Sequence, residues 1–156
     1  MSASITGTWY NELASEVQFI QSGGEISGQY KSYVGRACNG EYWFPLSGRT
    51  NLEVETIKDQ GAVSWSVAWY NETCGDSKSA TAWSGQYQVI DGKEKITATW
   101  LLTTETDVSG NWGSTIVGKD YFARDKPSLE EVQESMDNGF EHSNPFGEHS
   151  HQHDEV

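Results

Sequence analysis

A chain of 156 residues with 35% hydrophobic residues and 16 glycines has room for one ordinary domain, since about 150 residues make one folding unit. Ten Lys and Arg against 23 Asp and Glu leave a formal charge of −13, which repels phosphate backbones and anionic lipid. Neither nucleic acid nor a membrane is therefore an expected partner; no run approaches the ~18 apolar residues of a membrane helix, and residues 1–7 lack the basic and apolar parts of a signal segment.

Residues 5–123 are rich in Thr, Val, Ile, Trp and Tyr and are cut by turn signals at Gly23-Gly24, Asn39-Gly40, Asp59-Gln60-Gly61, Asp91-Gly92 and Ser109-Gly110-Asn111. This punctuation predicts eight strands, near 6–13, 17–22, 25–33, 43–51, 62–71, 80–90, 94–104 and 113–123. Helical periodicity is absent and the connections have hairpin length, so an all-β antiparallel meander is expected. Eight strands favour an up-and-down β-barrel over a sandwich, because closure removes the exposed edges. Past Asp125 the pattern changes. Ser128 and Glu131 form a capping box, and Leu129, Val132 and Met136 recur at helical spacing, which predicts a short amphipathic helix over 129–138. The expected organisation is a barrel domain over 1–125 and an acidic tail over 126–156, disordered beyond the helix. That tail holds one Lys against eight acids, a charge of −7.

Residues two apart in a strand share a face, and parity groups the unusual side chains. Trp9, Asn11 and Leu13 align, with Ser15 continuing into the turn. So do Tyr30, Ser32 and Val34; Trp65, Val67 and Trp69; Ser79, Thr81 and Trp83; and Ala98, Trp100 and Leu102. A core that only needed packing would not turn Asn, Ser, Tyr and Thr inward, because an unpaired buried polar group costs about 1–3 kcal/mol. A buried polar ligand supplying the missing partners explains them.

The strings Thr6-Gly-Thr-Trp-Tyr-Asn11, Gly28-Gln-Tyr-Lys-Ser-Tyr-Val-Gly35, Leu46-Ser-Gly-Arg49, Trp65-Ser-Val-Ala-Trp69, Ser79-Ala-Thr-Ala-Trp-Ser-Gly-Gln-Tyr87, Trp100-Leu-Leu-Thr103 and Trp112-Gly-Ser-Thr-Ile-Val-Gly-Lys-Asp120 occur in this order. Together they resemble the avidin and streptavidin family of biotin-binding proteins over about residues 5–123. The resemblance implies high-affinity, non-covalent binding and sequestration of biotin, with biotin and biotinylated molecules as partners. Asn11, Ser15 and Tyr30 match donors to the ureido oxygen, Asp120 and Ser32 match acceptors for the ureido N–H groups, and Thr81 matches the hydroxyl facing the thioether sulfur. Trp69, Trp83 and Trp100, with Leu13, Val34 and Leu102, match the apolar walls. Ser79 and the backbone after Val34-Gly35 match the mouth, where Arg36 replaces the Asn of streptavidin and offers a charge to the ligand carboxylate. Trp112 matches the tryptophan given to a neighbouring subunit's pocket. Cys38 and Cys74 lie where a dimeric branch of the family carries paired cysteines, implying a disulfide and an oxidising compartment, secreted or periplasmic; a cytoplasmic chain stays an alternative. That branch lacks the donated tryptophan, so retention of Trp112 favours a homotetramer over a dimer.

Trp9 and Trp65 match deeper core positions and Trp43 a structural one. His142, His149, His151 and His153 sit in the tail, where ligands lack the second shell a fixed metal site needs, so no metal and no cofactor are expected. No enzyme is expected either. The barrel strands contain no His and no Gly-rich phosphate loop, and Asp120 with Ser32 has no His or Lys to activate the hydroxyl. Two other readings stay open: a lipocalin-like carrier of another small apolar ligand, through Gly7-x-Trp9, and an oligomeric interaction protein whose tail docks at a neighbouring pocket.

Overall fold

Small or hydroxylated residues alternate with Trp, Val and Leu along the long strands, and a period of two sends the large side chains to one face. The computed structural model describes residues 3–32, 42–54, 60–71 and 77–138, and in it eight strands close into a single antiparallel up-and-down barrel. They are β1 (Gly7–Tyr10), β2 (Glu16–Ser22), β3 (Glu25–Lys31), β4 (Phe44–Thr50), β5 (Gln60–Asn71), β6 (Ser77–Ile90), β7 (Lys93–Thr104) and β8 (Thr115–Ala123). The all-β barrel expected from the turn spacing is the observed fold. Every strand pairs with its sequence neighbour, and β8 returns to β1.

Several strand limits differ from expectation, for local reasons. Strand β1 stops at Tyr10 instead of running to residue 13. Asn11 Oδ1 accepts the backbone N–H groups of Leu13 and Ser15 at 3.0 and 2.9 Å, and Ala14 takes φ +64°. The side chain thus competes with the ladder for these donors and folds the chain into a tight turn. Gln60 and Gly61, read as a turn, instead begin β5 in register with Gln88 and Tyr87. A 3-10 turn over Val108–Gly113, capped by Asp107, delays β8 to Thr115. The hairpin at Asp91-Gly92 has φ values of +52° and +76°, the left-handed pair that a two-residue turn between β6 and β7 requires.

Register, not only parity, assembles the interior. Trp65 on β5 faces Trp83 on β6, and Trp83 faces Trp100 on β7, so three indoles form one row across the wall. A second row runs Val67, Thr81, Leu102, and a third runs Gly85, Ala98, Asp120. In that third row a Cβ at Gly85 would meet the Ala98 Cβ at 2.9 Å, so small residues are required beside the aspartate. Phe19, Phe122 and Tyr87 are buried in the core with Trp9, whose Nε1 donates to the Ile5 carbonyl at 2.9 Å.

Closure between β1 and β8 rests on one registered pair, Tyr10 with Ala123, far fewer than any other seam. Arg124 spans the gap instead. It grips Glu94 on β7 through Nε at 2.9 Å and Nη2 at 3.2 Å, and donates to the carbonyls of Thr6 at 3.0 Å and Ser4 at 3.2 Å. Its guanidinium also lies 4.1 Å from the Trp9 ring centroid. Past the barrel, α1 (Leu129–Asp137) starts at the expected capping box: Ser128 Oγ accepts the Glu131 N–H, and Glu131 Oε1 accepts the Ser128 N–H. No residue of α1 is buried.

Candidate functional site

The inward polar residues are buried inside the barrel. Asn11 and Ser15, at the two ends of the turn after β1, are both buried, because Asn11 N–H donates to the Ser15 carbonyl at 3.0 Å and draws the ends together. Tyr30, Ser32, Ser79, Thr81 and Asp120 are buried as well, and so are Trp69, Trp83, Trp100 and Leu102. Leu13 is only half-buried, because the turn breaks the strand alternation that parity assumed. Val34, Gly35, Arg36, Cys38 and Cys74 lie outside the described residues, as do the four tail histidines. Trp112 lies in the 3-10 turn before β8, and its side chain is outside the described atoms.

Hydrogen bonds already made dictate what each group can still offer. Asn11 Oδ1 is committed to two backbone donors, so Nδ2 is the end it presents as a donor. Thr81 Oγ accepts Trp69 Nε1 at 2.9 Å, which orients both the indole wall and the hydroxyl. Trp83 Nε1 donates to Asp120 Oδ2 at 2.9 Å, tying a second indole to the carboxylate. The aromatic rings support one another: Tyr30 stacks on Trp83 at 4.9 Å, Trp83 stacks on Trp65 at 5.4 Å, and Tyr30 and Phe44 both meet Trp69 edge-on. The pocket walls are therefore held by packing before any ligand arrives.

One carboxylate oxygen stands out. Asp120 is 0% exposed, and among the described residues its Oδ1 meets no hydrogen-bond donor, while the indole N–H groups of Trp65 and Trp100 meet no acceptor. Burial pushes the Asp120 carboxyl well above the usual carboxylate range, the nearby Glu12 charge pushes it further, and the Trp83 N–H pulls it partly back. Burial first, then Asp120 and Glu12, raise the Tyr30 phenol, so Tyr30 stays a neutral donor. Donors from Asn11 and Tyr30 on one side and an acceptor at Asp120 on the other suit a ligand that carries a carbonyl flanked by N–H groups.

Two contributors escaped the sequence. Phe122 packs edge-on against Tyr30 at 6.5 Å and Trp65 at 5.5 Å, a role its alternation with Asp120 allowed but did not specify. Glu12, half-buried beside the turn, accepts the Tyr121 backbone N–H at 2.9 Å across 109 residues of chain. In sequence it resembles any solvated strand-end acid.

Comparison with known proteins agrees with this geometry. A model of the Avidin family matches residues 1–125. Fibropellin-1 of Strongylocentrotus purpuratus is 27% identical over 139 residues, covering 80% of this chain but only 11% of that protein. The chain thus spans about a tenth of the length of this relative.

Proposed function

The chain belongs to the avidin family, and from that premise we propose that it binds biotin non-covalently, one molecule per barrel, and sequesters it without chemical change. The observation that carries the reading is Asp120 Oδ1, a fully buried acceptor that meets no donor among the described residues. Leaving such a group unpaired costs about 1–3 kcal/mol or more for a charged atom, a cost that a ligand N–H removes. In this reading Asn11, Ser15 and Tyr30 donate to the ureido oxygen, while Asp120 and Ser32 receive the two ureido N–H groups. Thr81 faces the thioether, and Trp69, Trp83 and Trp100 enclose the bicycle with Leu13, Val34 and Leu102. Ser79, the backbone at Gly35 and the cation of Arg36 serve the carboxylate at the mouth.

Pre-organisation is the source of affinity. Donors and acceptors fixed on strands and indoles locked by Thr81 and Asp120 need little ordering when the ligand enters. The reading extends to a homotetramer in which Trp112 reaches a neighbour's pocket, and to a secreted or periplasmic setting with Cys38 bonded to Cys74. No observation favours the lipocalin-like carrier, since Gly7-x-Trp9 is common to both patterns.

The test is a calorimetric titration of the folded, biotin-stripped protein. Close to one biotin per chain with tight, exothermic binding is expected. Absence of heat at a concentration where circular dichroism shows an intact barrel overturns the reading.

A further inference from the structure

Helix α1 is left without a surface to lie on. Leu129, Val132 and Met136 fall three and four residues apart along one face, yet Leu129 and Met136 are exposed and no residue of the helix is buried. Its nine residues are too few to hold a helix in water by propensity alone, so this face calls for cover. Charge selects what the cover is. Glu130, Glu131, Glu134 and Asp137 have no Lys or Arg beside them in α1. The first two suit the N-terminal end, but Glu134 and Asp137 lie toward the C-terminal end, where the macrodipole favours cations and the last turn holds none. A second α1 laid against the first brings like charges together and is a poor partner.

The hairpin between β6 and β7 has the complementary character. Ile90 faces Lys93 across the ladder and Gln88 faces Lys95, so both lysines lie on the outer face, opposite in parity to the buried Tyr87 and Ile96. Ile90 is 52% exposed, and Val89 beside it is exposed as well. Among the described residues neither lysine is in an ion pair; of the hairpin's own acids Glu94 is taken by Arg124, which leaves Asp91 at the turn. Lys95 is in register with Ala123, the last residue of β8, so α1 leaves the barrel at the end that carries this hairpin. Another exposed aliphatic pair, Leu101 with Val117, lies midway along β7 and β8 and has a single lysine, Lys119, two residues away.

We propose that α1 of one copy docks on the β6–β7 hairpin of a second copy, with Leu129, Val132 and Met136 covering Ile90 and Val89 while the helix acids meet Lys93 and Lys95. Helix and hairpin occupy the same end of the barrel, so a two-fold, end-to-end contact satisfies both helices at once. The chain's own barrel buries none of α1, which leaves the second copy as the occupant. Ile90 and Ser79 lie toward opposite ends of β6, so the contact does not involve the candidate pocket and stands apart from the biotin reading.

The experiment is sedimentation of the full chain at concentrations up to about 1 mM, the range suited to a contact this small. Two charge-reversed proteins are compared, one carrying Lys93→Glu with Lys95→Glu, the other Glu134→Lys with Asp137→Lys, which spares the capping box. Each alone is expected to sediment at about half the mass of the unaltered protein, or less. An equimolar mixture is expected to regain the larger mass, because each helix then finds a hairpin of opposite charge on the other protein. A helix folded onto its own hairpin gives no recovery on mixing, and that result overturns the proposal. So does an unchanged mass in the separate variants, or an equal loss in Lys119→Glu, which places the helix on the Leu101 and Val117 wall. Circular dichroism checks that each barrel is intact. If the hairpin reversal does not fold, Leu129→Asp with Met136→Asp, outside the core, decides instead: loss of the larger mass upholds the docking and its retention overturns it. Failure to bind biotin overturns the function reading and leaves these masses unaffected.

Discussion

Asp120 carries the site because its two oxygens have different fates: Oδ2 holds Trp83 in place and Oδ1 waits for a donor. Replacing it removes both. Asp120→Ala is expected to weaken biotin by about 2–5 kcal/mol, roughly 30- to 4,000-fold, the usual cost of truncating one partner of a buried charged pair. Release measured by competition with excess ligand checks this, and an unchanged rate refutes the acceptor role. Tyr30→Phe deletes one neutral donor and keeps the ring that stacks on Trp83, so a loss of only about 0.5–1.5 kcal/mol is expected in the same assay. The inward aspartate was legible through its place in the Trp112 to Asp120 string. Glu12 was not, because its contact depends on Tyr121 arriving from the far end of the chain.

Among the elements, the seam between β1 and β8 is the one that a side chain closes. Arg124 makes a two-point ion pair with Glu94, reaches two carbonyls before β1 and covers Trp9, while Tyr87 Oη adds a bond to Glu94 at 3.0 Å. The ion pair is partly exposed, so Arg124→Ala is expected to cost about 2 kcal/mol, within the range for charge-assisted bonds after screening. At this chain length that lowers Tm by about 4–8 °C, readable by thermal unfolding of the ligand-free protein. Its interactions join residues 4, 6, 9 and 94 to residue 124, and no local pattern announces them. The opposite case is α1, whose cap was read directly from Ser128 and Glu131, since capping chemistry is contained within four residues.

For the whole molecule, acid affects two carboxylates in opposite directions. The Glu94 carboxyl is held below its ordinary value, first by its hydrogen bond to Arg124, so it contributes stability above the unfolded value that is lost as pH falls through the lowered one. Asp120 is raised, so its contribution is fully present below the ordinary carboxylate range and is lost as pH rises through the raised value. The ligand-free protein is therefore expected to gain Tm on mild acidification from neutrality and lose it again in stronger acid. Asp120→Asn should flatten the first limb and leave the second, in melting curves collected across pH. The proposed shared tryptophan gives a separate test at this scale. Trp112→Lys is expected to reduce the sedimenting mass and speed biotin release, and an unchanged assembly with unchanged release refutes the sharing.

By itself the sequence determined the strand count, the turns at Gly23-Gly24 and Asp91-Gly92, the capped helix and the inward-facing residues of β5 to β8, because a period of two, a left-handed hairpin pair and a capping box are all local physics. Only the tertiary structure decided that β1 ends at Tyr10, that indoles on three strands form one row, that Arg124 seals the barrel and that Glu12 meets the Tyr121 backbone. The reason is the same in each case. Register, closure and the meeting of distant charges are set by the chain returning on itself, and periodicity along one strand carries no information about which residue on another will face it.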